Sequence, residues 1–142
     1  MIRFQLVALT GTKYDDDVYE VVLPTLDGEI GVLQDHMPLV SVATIGVIAV
    51  RKNAQDSDQA REFFAISGGV LEVSGNKLRV LVDEADHEAD ISQAEAEAAH
   101  ERALKLKSEA KDEVSLEHAQ QLVDRSAVRL QVAGLKKRHQ RR

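Results

Sequence analysis

The composition of this chain changes abruptly near residue 90, and that change limits the folds open to it. Valine and glycine dominate the residues before this point, whereas alanine, glutamate, glutamine and lysine dominate those after it. Residues 90–111 contain no glycine or proline and are rich in the strongest helix formers. The charge balance changes at the same place. Residues 1–89 carry 7 basic and 15 acidic side chains, whereas residues 90–142 carry 11 basic and 9 acidic side chains. We therefore predict an α+β chain of two domains, 1–86 and 87–142.

The first domain is predicted to be a β-sandwich or flattened barrel. Short strand-like segments follow one another closely and are separated by glycine corners, which is typical of these folds. The predicted strands are 3–9, 18–23, 30–33, 39–44, 45–51, 61–67, 70–74 and 77–83. The acidic run Asp15, Asp16 and Asp17 is predicted to be a turn. Gly75 and Asn76 are predicted to form a primed hairpin turn, and alternation places three side chains of the last strand on one face: Leu78, Val80 and Val82.

The second domain is predicted to be an antiparallel helical hairpin. Asp90 and Ser92 are both credible N-caps of the first helix, and Ser115 is the predicted cap of the second. The predicted inward stripe of the first helix is mostly alanine: Ala94, Ala98, Ala99, Ala103, Leu106 and Ala110. The second helix offers Leu116, Ala119, Val123, Ala127 and Leu130, with a further strip that points elsewhere: Val128, Val132 and Leu135. Contacts between alanines bury little apolar area, so we expect the hairpin to be loosely attached.

A glycine-rich stretch at residues 26–39 marks a candidate partner site. Gly28 and Gly31 permit unusual backbone conformations, and Pro38 restricts its own φ angle. The corner at 34–37 is therefore predicted to be an exposed loop on a rigid frame. Glu29, Asp35 and His36 would be available there to a partner.

Several function classes receive no support from the sequence. The chain has no cysteine, which excludes disulfides, zinc–thiolate sites and cysteine nucleophiles. Residues 1–9 do not resemble a signal peptide and no run approaches about 18 apolar residues, so we expect a soluble chain. Three adjacent carboxylates at 15–17 diverge rather than converge on a metal ion. The histidines lack metal-ligand spacing, and we predict neither a metal site nor a catalytic site.

Four segments resemble the ε subunit of bacterial F-type ATP synthases. They are Gly-Glu-Ile-Gly-Val-Leu at 28–33, His-Met-Pro-Leu at 36–39, Ser-Gly-Gly-Val-Leu-Glu-Val at 67–73 and Val-Leu-Val-Asp at 80–83, followed by the alanine-rich hairpin. The resemblance implies a non-catalytic rotor subunit of the central stalk, bound to the γ subunit and the c-ring. Such a subunit couples proton flow to ATP synthesis, and its helices can extend to inhibit ATP hydrolysis. It would lie at the cytoplasmic face of the bacterial cell membrane, associated with the membrane only through the complex.

The resemblance also implies roles for individual residues. Glu29 and His36 would occupy loop positions that face polar loops of the c-ring. The alternative is that Glu29 is a solvated turn carboxylate and that His36 braces its loop as a hydrogen-bond donor.

Some members of that family bind ATP at the start of the first helix, and the corresponding motif is degenerate in this chain. Ile91, Ala96 and Arg102 fit the motif, but Ser92 replaces an aspartate and Glu95 replaces an arginine. A glutamate beside a triphosphate repels it instead of donating a charge-assisted bond. We therefore expect weak or no ATP binding and no cofactor.

Basic residues cluster at the C-terminal end: Lys136, Lys137, Arg138, Arg141 and Arg142. The resemblance implies a tip that meets acidic loops of the catalytic α and β subunits when the helices extend, and Arg125 and Arg129 would join that face. The alternative is a solvated helix end, where cations are favourable. Nucleic-acid binding is disfavoured, because the hairpin has no aromatic residue for base stacking. As a whole, the chain is either a rotor subunit or a free-standing adaptor for another protein scaffold.

Overall fold

The computed structural model describes residues 1–140, with side chains as far as Arg138. These residues form ten strands followed by two helices. The strands are β1 (Ile2–Ala8), β2 (Gly11–Val18), β3 (Glu20–Thr25), β4 (Gly28–Leu33), β5 (Leu39–Ala43), β6 (Gly46–Arg51), β7 (Glu62–Ile66), β8 (Gly69–Ser74), β9 (Lys77–Val82) and β10 (Ala85–His87). The helices are α1 (Gln93–Glu109) and α2 (Glu113–Gln140).

The strands form one sheet that folds over on itself into a sandwich, or nearly closed barrel. The strand order is β10-β7-β6-β3-β5-β8-β9-β1-β2, and β4 pairs with β3 off this path. The first strand, β1, runs parallel to β9, with Arg3 opposite Lys77 and Val7 opposite Leu81. The predicted architecture of a sandwich followed by a helical hairpin is confirmed.

Large aliphatic and aromatic side chains fill the sandwich core. Its fully buried members include Phe4, Phe64, Ile2, Leu6, Leu23, Ile48, Leu71 and Leu78. The predicted alternation in β9 is correct, because Leu78, Val80 and Val82 are buried whereas Leu81 is exposed. The turn before β9 has φ +56° at Gly75 and +59° at Asn76, as a primed hairpin turn requires.

The predicted acidic turn at residues 15–17 is wrong, because these residues lie in β2. This strand pairs along β1 at the end of the sheet path, and its carboxylates meet cations. Arg3 Nε donates to Asp15 Oδ1 at 2.9 Å, and Lys52 Nζ donates to Asp16 Oδ2 at 2.8 Å. These bonds hold the pKa values of Asp15 and Asp16 below the ordinary carboxyl value. Compensating charges on neighbouring elements therefore allow an acidic strand that the local sequence does not indicate.

The predicted cap of α1 is observed, whereas the predicted cap of α2 is not. Ser92 caps α1, because its Oγ accepts a hydrogen bond from the Glu95 amide at 3.4 Å. The prediction that Ser115 caps α2 is wrong. Asp112 Oδ1 instead accepts a bond from the Ser115 amide at 2.7 Å, three residues earlier in the chain than expected. That bond also lowers the pKa of Asp112.

The predicted inward stripe of α1 is largely wrong. Ala103 is buried, but Ala94, Ala98 and Leu106 are exposed and Ala96 is buried instead. Alanines occur on every side of this helix, so hydrophobic periodicity alone does not identify its buried face.

In α2, the strip that was predicted to point elsewhere docks on the sheet together with Leu130 of the favoured stripe. Val132 is fully buried there. In the favoured stripe Ala119 is buried, whereas Leu116 and Ala127 are exposed. The docking cluster, as we call these buried contacts between the hairpin and the sandwich, consists of Ala49, Phe63, Ala65, Ile91, Ala96, Val132 and Ala133. The hairpin therefore lies against the outer surface of β6 and β7.

Candidate functional site

The loop at 34–37 is fixed firmly to a neighbouring turn, as the sequence predicts. Asp35 has φ +64°, and its amide donates to Asn76 Oδ1 at 2.7 Å. Asn76 Nδ2 donates back to Asp35 Oδ1 at 3.3 Å. At the start of the loop, the N-terminal amine of Met1 donates to Gln34 Oε1 at 2.6 Å. A partner would meet this loop already ordered, which lowers the entropy cost of binding.

His36 braces this loop and keeps one ring nitrogen available. The side chain is half-buried, and Nδ1 lies 2.7 Å from the carbonyl oxygen of Met37. A carbonyl oxygen only accepts, so Nδ1 carries the proton and donates it. The other ring nitrogen, Nε2, is the one available to an outside group, and Met37 beside it is 72% exposed.

Glu29 lies within β4, not in the loop where the resemblance placed it. It is exposed and pairs with Pro24, close to the turn between β3 and β4. The strand then runs to Leu33, whose carbonyl oxygen accepts from the His36 amide at 3.2 Å. Four residues of strand span about 13 Å, so Glu29 and His36 lie towards opposite ends of β4. The structure does not bring the two predicted contact residues together.

An exposed apolar row crosses β5, β8 and β9, and the sequence reasoning missed it. In register, Val42 lies opposite Val70, and Val70 lies opposite Leu81. These side chains are 47–48% exposed, and Val40 beside them is 72% exposed. We call these four residues the valine row. A signal was present in β5, whose sequence Leu-Val-Ser-Val-Ala has apolar residues on both faces.

The hairpin occupies the other outer surface and is tied to it by two ion pairs. Arg125 Nη1 lies 3.3 Å from Glu84 Oε1, and Arg129 Nε lies 3.8 Å from Asp86 Oδ2. The two arginines that the resemblance assigned to an extended helix are therefore engaged with the sandwich here. Glu84 and Asp86 were not singled out from the sequence.

A polar contact joins α1 to α2 near the middle of the hairpin. His100 Nδ1 lies 2.9 Å from Ser126 Oγ, and Ser126 Oγ also donates to the carbonyl oxygen of Val123 at 2.9 Å. The serine proton is thus committed, so His100 is the donor to Ser126. This contact fixes the alignment of the two helices along their alanine-lined interface.

The residues of the degenerate nucleotide motif serve the local structure. Ile91 and Ala96 are buried in the docking cluster, and Ser92 caps α1. Glu95 and Arg102 are exposed. Of the motif residues, Ile91 alone lines a groove of about 280 Å³, together with Gln93, Ala133, Lys136 and Lys137.

The basic C-terminal tip is only partly within the described residues. Lys136 is half-buried beside the start of α1, while Lys137 and Arg138 are exposed. Arg141 and Arg142 lie outside the described residues.

The described part of the chain contains no candidate metal centre and no membrane-spanning helix. Among the side chains described, as far as Arg138, no group of three histidine or acidic residues is arranged to hold a metal ion. In the same part of the chain, neither helix is long and apolar enough to cross a bilayer.

Comparisons with known proteins identify the family. Residues 1–88 match the model of the ATP synthase Delta/Epsilon chain beta-sandwich domain. The chain is 33% identical over 134 residues to the ATP synthase epsilon chain of Halalkalibacterium halodurans, covering 94% of this chain and 97% of that one. It is 36% identical over 134 residues to the epsilon chain of Alkalihalophilus pseudofirmus, with the same coverage. The chain belongs to the ATP synthase epsilon chain family.

An epsilon chain is a non-catalytic subunit of the ATP synthase complex. Two solved structures share its fold. A chain of the Euglena gracilis mitochondrial ATP synthase, solved with OSCP, F1 and c-ring, has TM-score 0.77 at 22% identity and covers 94% of this chain and 81% of that one. A chain of the Tetrahymena thermophila mitochondrial ATP synthase central stalk and c-ring has TM-score 0.58 at 12% identity, with 91% and 93% covered.

Proposed function

We propose that this epsilon chain is a rotor subunit of the central stalk of a proton-translocating F-type ATP synthase. In this role it couples proton flow to ATP synthesis, and its C-terminal helices inhibit ATP hydrolysis. The observation that carries the proposal is the contrast between its two outer surfaces. On one surface the hairpin docks through four alanines with Phe63, Ile91 and Val132, and the other surface leaves the valine row uncovered. The units 1–86 and 87–142 then act as anchor and regulator.

The valine row is the surface that we assign to the γ subunit. Adjacent apolar side chains on a rigid sheet mark a protein partner, because soluble surfaces seldom leave such a row in water. The related chains of Euglena and Tetrahymena were solved within assemblies that contain the c-ring and, for Tetrahymena, the central stalk. Val70→Asp would place a charge at the centre of the row. We expect it to abolish copurification with γ, whereas Val114→Asp, on an exposed position of α2, leaves it intact.

Glu29 and His36 are assigned to the c-ring as two separate contacts. Their separation along β4 means that they meet different loops, each contributing about 0–1 kcal/mol as an exposed polar contact. The double variant Glu29→Ala/His36→Ala should therefore lower the coupling of proton flow to ATP synthesis without releasing the subunit. If the coupling of proton flow to ATP synthesis in reconstituted vesicles is unchanged, this assignment is contradicted.

The basic tip is assigned to acidic loops of the catalytic α and β subunits in the extended state. Lys137 and Arg138 are already exposed, and Arg125 and Arg129 would join them once the hairpin leaves the sandwich. We expect Lys136→Ala/Lys137→Ala/Arg138→Ala to relieve inhibition of ATP hydrolysis in the reconstituted complex. The matched control removes three exposed lysines at the other end of the hairpin: Lys105, Lys107 and Lys111. Equal relief by both triple variants would attribute the effect to net charge and contradict the assignment.

ATP binding to the isolated chain is expected to be weak or absent. Glu95 stands at the position of the motif arginine, and its carboxylate repels a triphosphate. Titration calorimetry tests this directly, and micromolar affinity would contradict it. We also place the subunit at the cytoplasmic face of the bacterial cell membrane, attached through the complex.

The second candidate is a free-standing adaptor that uses the same two surfaces on another scaffold. Copurification separates the two functions. Recovery of the chain with γ and the catalytic subunits supports the rotor, and recovery with unrelated proteins alone supports the adaptor.

A further inference from the structure

The two ion pairs between α2 and the sandwich have matching spacings. Arg125 and Arg129 are four residues apart on a helix, a rise of about 6 Å. Glu84 and Asp86 are two residues apart in extended chain, which spans about 6.6 Å and points both side chains to the same side. Both ion pairs can therefore form at the same time, Arg125 with Glu84 and Arg129 with Asp86.

We propose that these four residues form a latch that holds the hairpin on the sandwich and withholds both arginines from any acidic partner. The existence of the latch is independent of the function proposed above. Its consequence for inhibition of ATP hydrolysis rests on that function.

The acidic half of the latch is built on a rigid support. The Ser67 amide donates to the carbonyl oxygen of Glu84 at 3.1 Å, and the Glu84 amide donates to Ser67 Oγ at 2.9 Å. Asp86 lies in β10, opposite Ala65 of β7. Both carboxylates are thus presented by fixed backbone, so little ordering is needed when the arginines arrive.

The basic half is less completely satisfied. Arg129 Nε is buried and, among the residues described, finds no hydrogen-bond acceptor within range. A cavity of about 20 Å³ lies beside it, lined in part by Glu84, Asp86 and Arg125. The 3.8 Å separation from Asp86 is an ion pair without a direct hydrogen bond. Such a contact opens more readily than a bidentate pair, which suits a reversible attachment.

The apolar contacts around the latch are modest enough for the ion pairs to affect docking. Four of the seven buried residues in the docking cluster are alanines, which contribute little area, and the aliphatic side chains around it, such as Val128 and Leu135, are only partly buried. Partly exposed ion pairs contribute about 0–1 kcal/mol each. Two pairs acting together therefore shift the ratio of docked to undocked hairpin by a measurable factor.

A charge-swap cycle on the full chain tests the latch. The chain has no cysteine, so Ser74→Cys and Gln121→Cys provide unique sites for a pair of spin labels on the sandwich and α2. We expect Arg125→Glu and Glu84→Arg each to lower the ratio of docked to undocked hairpin about fivefold, and the double swap to restore most of it. Lys105→Glu, an exposed charge reversal on α1, is the control and should leave the distance distribution unchanged.

Two further measurements separate undocking from unfolding and test that charge holds the hairpin in place. Helix content by circular dichroism should stay constant in the single variants, because undocking leaves α1 and α2 folded. Raising the salt concentration should undock the wild-type hairpin and have less effect on Glu84→Gln/Asp86→Asn. Failure of the double swap to restore docking, or equal salt sensitivity in both proteins, would overturn the latch.

The consequence for regulation is tested separately in the reconstituted complex. Glu84→Gln/Asp86→Asn keeps both arginines and should strengthen inhibition of ATP hydrolysis, because the helices extend more often. If the spin labels show undocking but hydrolysis is unchanged, the latch stands and the proposed inhibitory function fails. If the labels show no undocking, the latch itself fails.

Discussion

The interior of the sandwich and the surface where the hairpin docks are built from different side chains. The sandwich core buries Phe4, Phe64 and a set of leucines, isoleucines and valines almost completely. The docking cluster buries four alanines with Phe63, Ile91 and Val132, and five partly buried aliphatic side chains pack against it: Val22, Val47, Val128, Leu130 and Leu135. At about 25 cal/mol per Å² of apolar area, large side chains contribute several times more than alanines. From this comparison we expect stability to be concentrated in the sandwich and the docking of the hairpin to be weak enough to be reversible.

The largest expected effect is a substitution at Gly69 in β8. A Cβ atom there would lie 1.9 Å from the carbonyl oxygen of Leu81, so the backbone of β8 or β9 must shift. We expect Gly69→Ala to lower the free energy of unfolding of the sandwich by about 3 kcal/mol or more, measured by urea denaturation. Its matched control is Gly75→Asn, because asparagine tolerates the left-handed conformation of that turn and a Cβ there meets no atom within 4 Å.

A smaller effect is expected from Val132→Ala, which acts on the docking cluster. Val132 is fully buried, and its truncation should cost about 2 kcal/mol. We expect that cost to appear as faster hydrogen exchange in α2 while the unfolding midpoint of β1–β10 stays the same. The control, Val114→Ala, removes a side chain that is 79% exposed. A matching fall in the sandwich midpoint would show that the two regions unfold as one unit.

Gly134→Ala tests the same comparison by stabilising the hairpin instead of weakening it. Gly134 lies inside α2, and a Cβ atom there meets no atom within 4 Å. Alanine favours a helix over glycine by about 1 kcal/mol, so the variant should raise the thermal stability of α2 in circular dichroism. The docked fraction should remain unchanged, because both the docked and the undocked hairpin contain the same helix. A change in docking would mean that Gly134 takes part in the contact itself.

The smallest effect is expected from acid, which should act on both regions. Hydrogen bonds from Arg3, Lys52 and the Ser115 amide lower the pKa values of Asp15, Asp16 and Asp112, respectively, in the folded protein. A lowered folded pKa stabilises the protein above the ordinary value of 3.8, and this stabilisation is lost as pH falls through the folded value. Asp15→Asn should therefore reduce the loss of sandwich stability as the pH falls. Asp112→Asn should reduce the corresponding loss of hairpin stability. Stability near neutral pH that rises on acidification would contradict both assignments.

The sequence predicts the sandwich better than it predicts the packing of the hairpin. In β9, alternation identifies the buried face because Leu78 and Val80 differ sharply from their neighbours. In α1, alanines at positions such as 94, 96, 98 and 99 look alike, and only tertiary contact selects Ala96. β2 was missed for a related reason, since the charges that stabilise Asp15 and Asp16 come from Arg3 and Lys52, in other parts of the chain.

The candidate site was predicted in the same uneven way. The loop at 34–37 follows from local chemistry, and its position was correctly predicted. The separation of Glu29 from His36 depends on how far β4 extends, which the resemblance did not supply. The partners of Arg125 and Arg129 lie about 40 residues earlier, at Glu84 and Asp86, and no local pattern connects them.

The parallel pairing of β1 with β9 has a consequence for how the protein is made. The ribosome releases β1 well before its partner across residues 77–81, which emerges only after most of the sandwich has been synthesised. Until then one side of β1 has no strand beside it, and the sheet cannot complete its order β8-β9-β1-β2. The helices are synthesised after the strands, so the nascent chain should complete the sandwich before the hairpin that docks on it has left the ribosome.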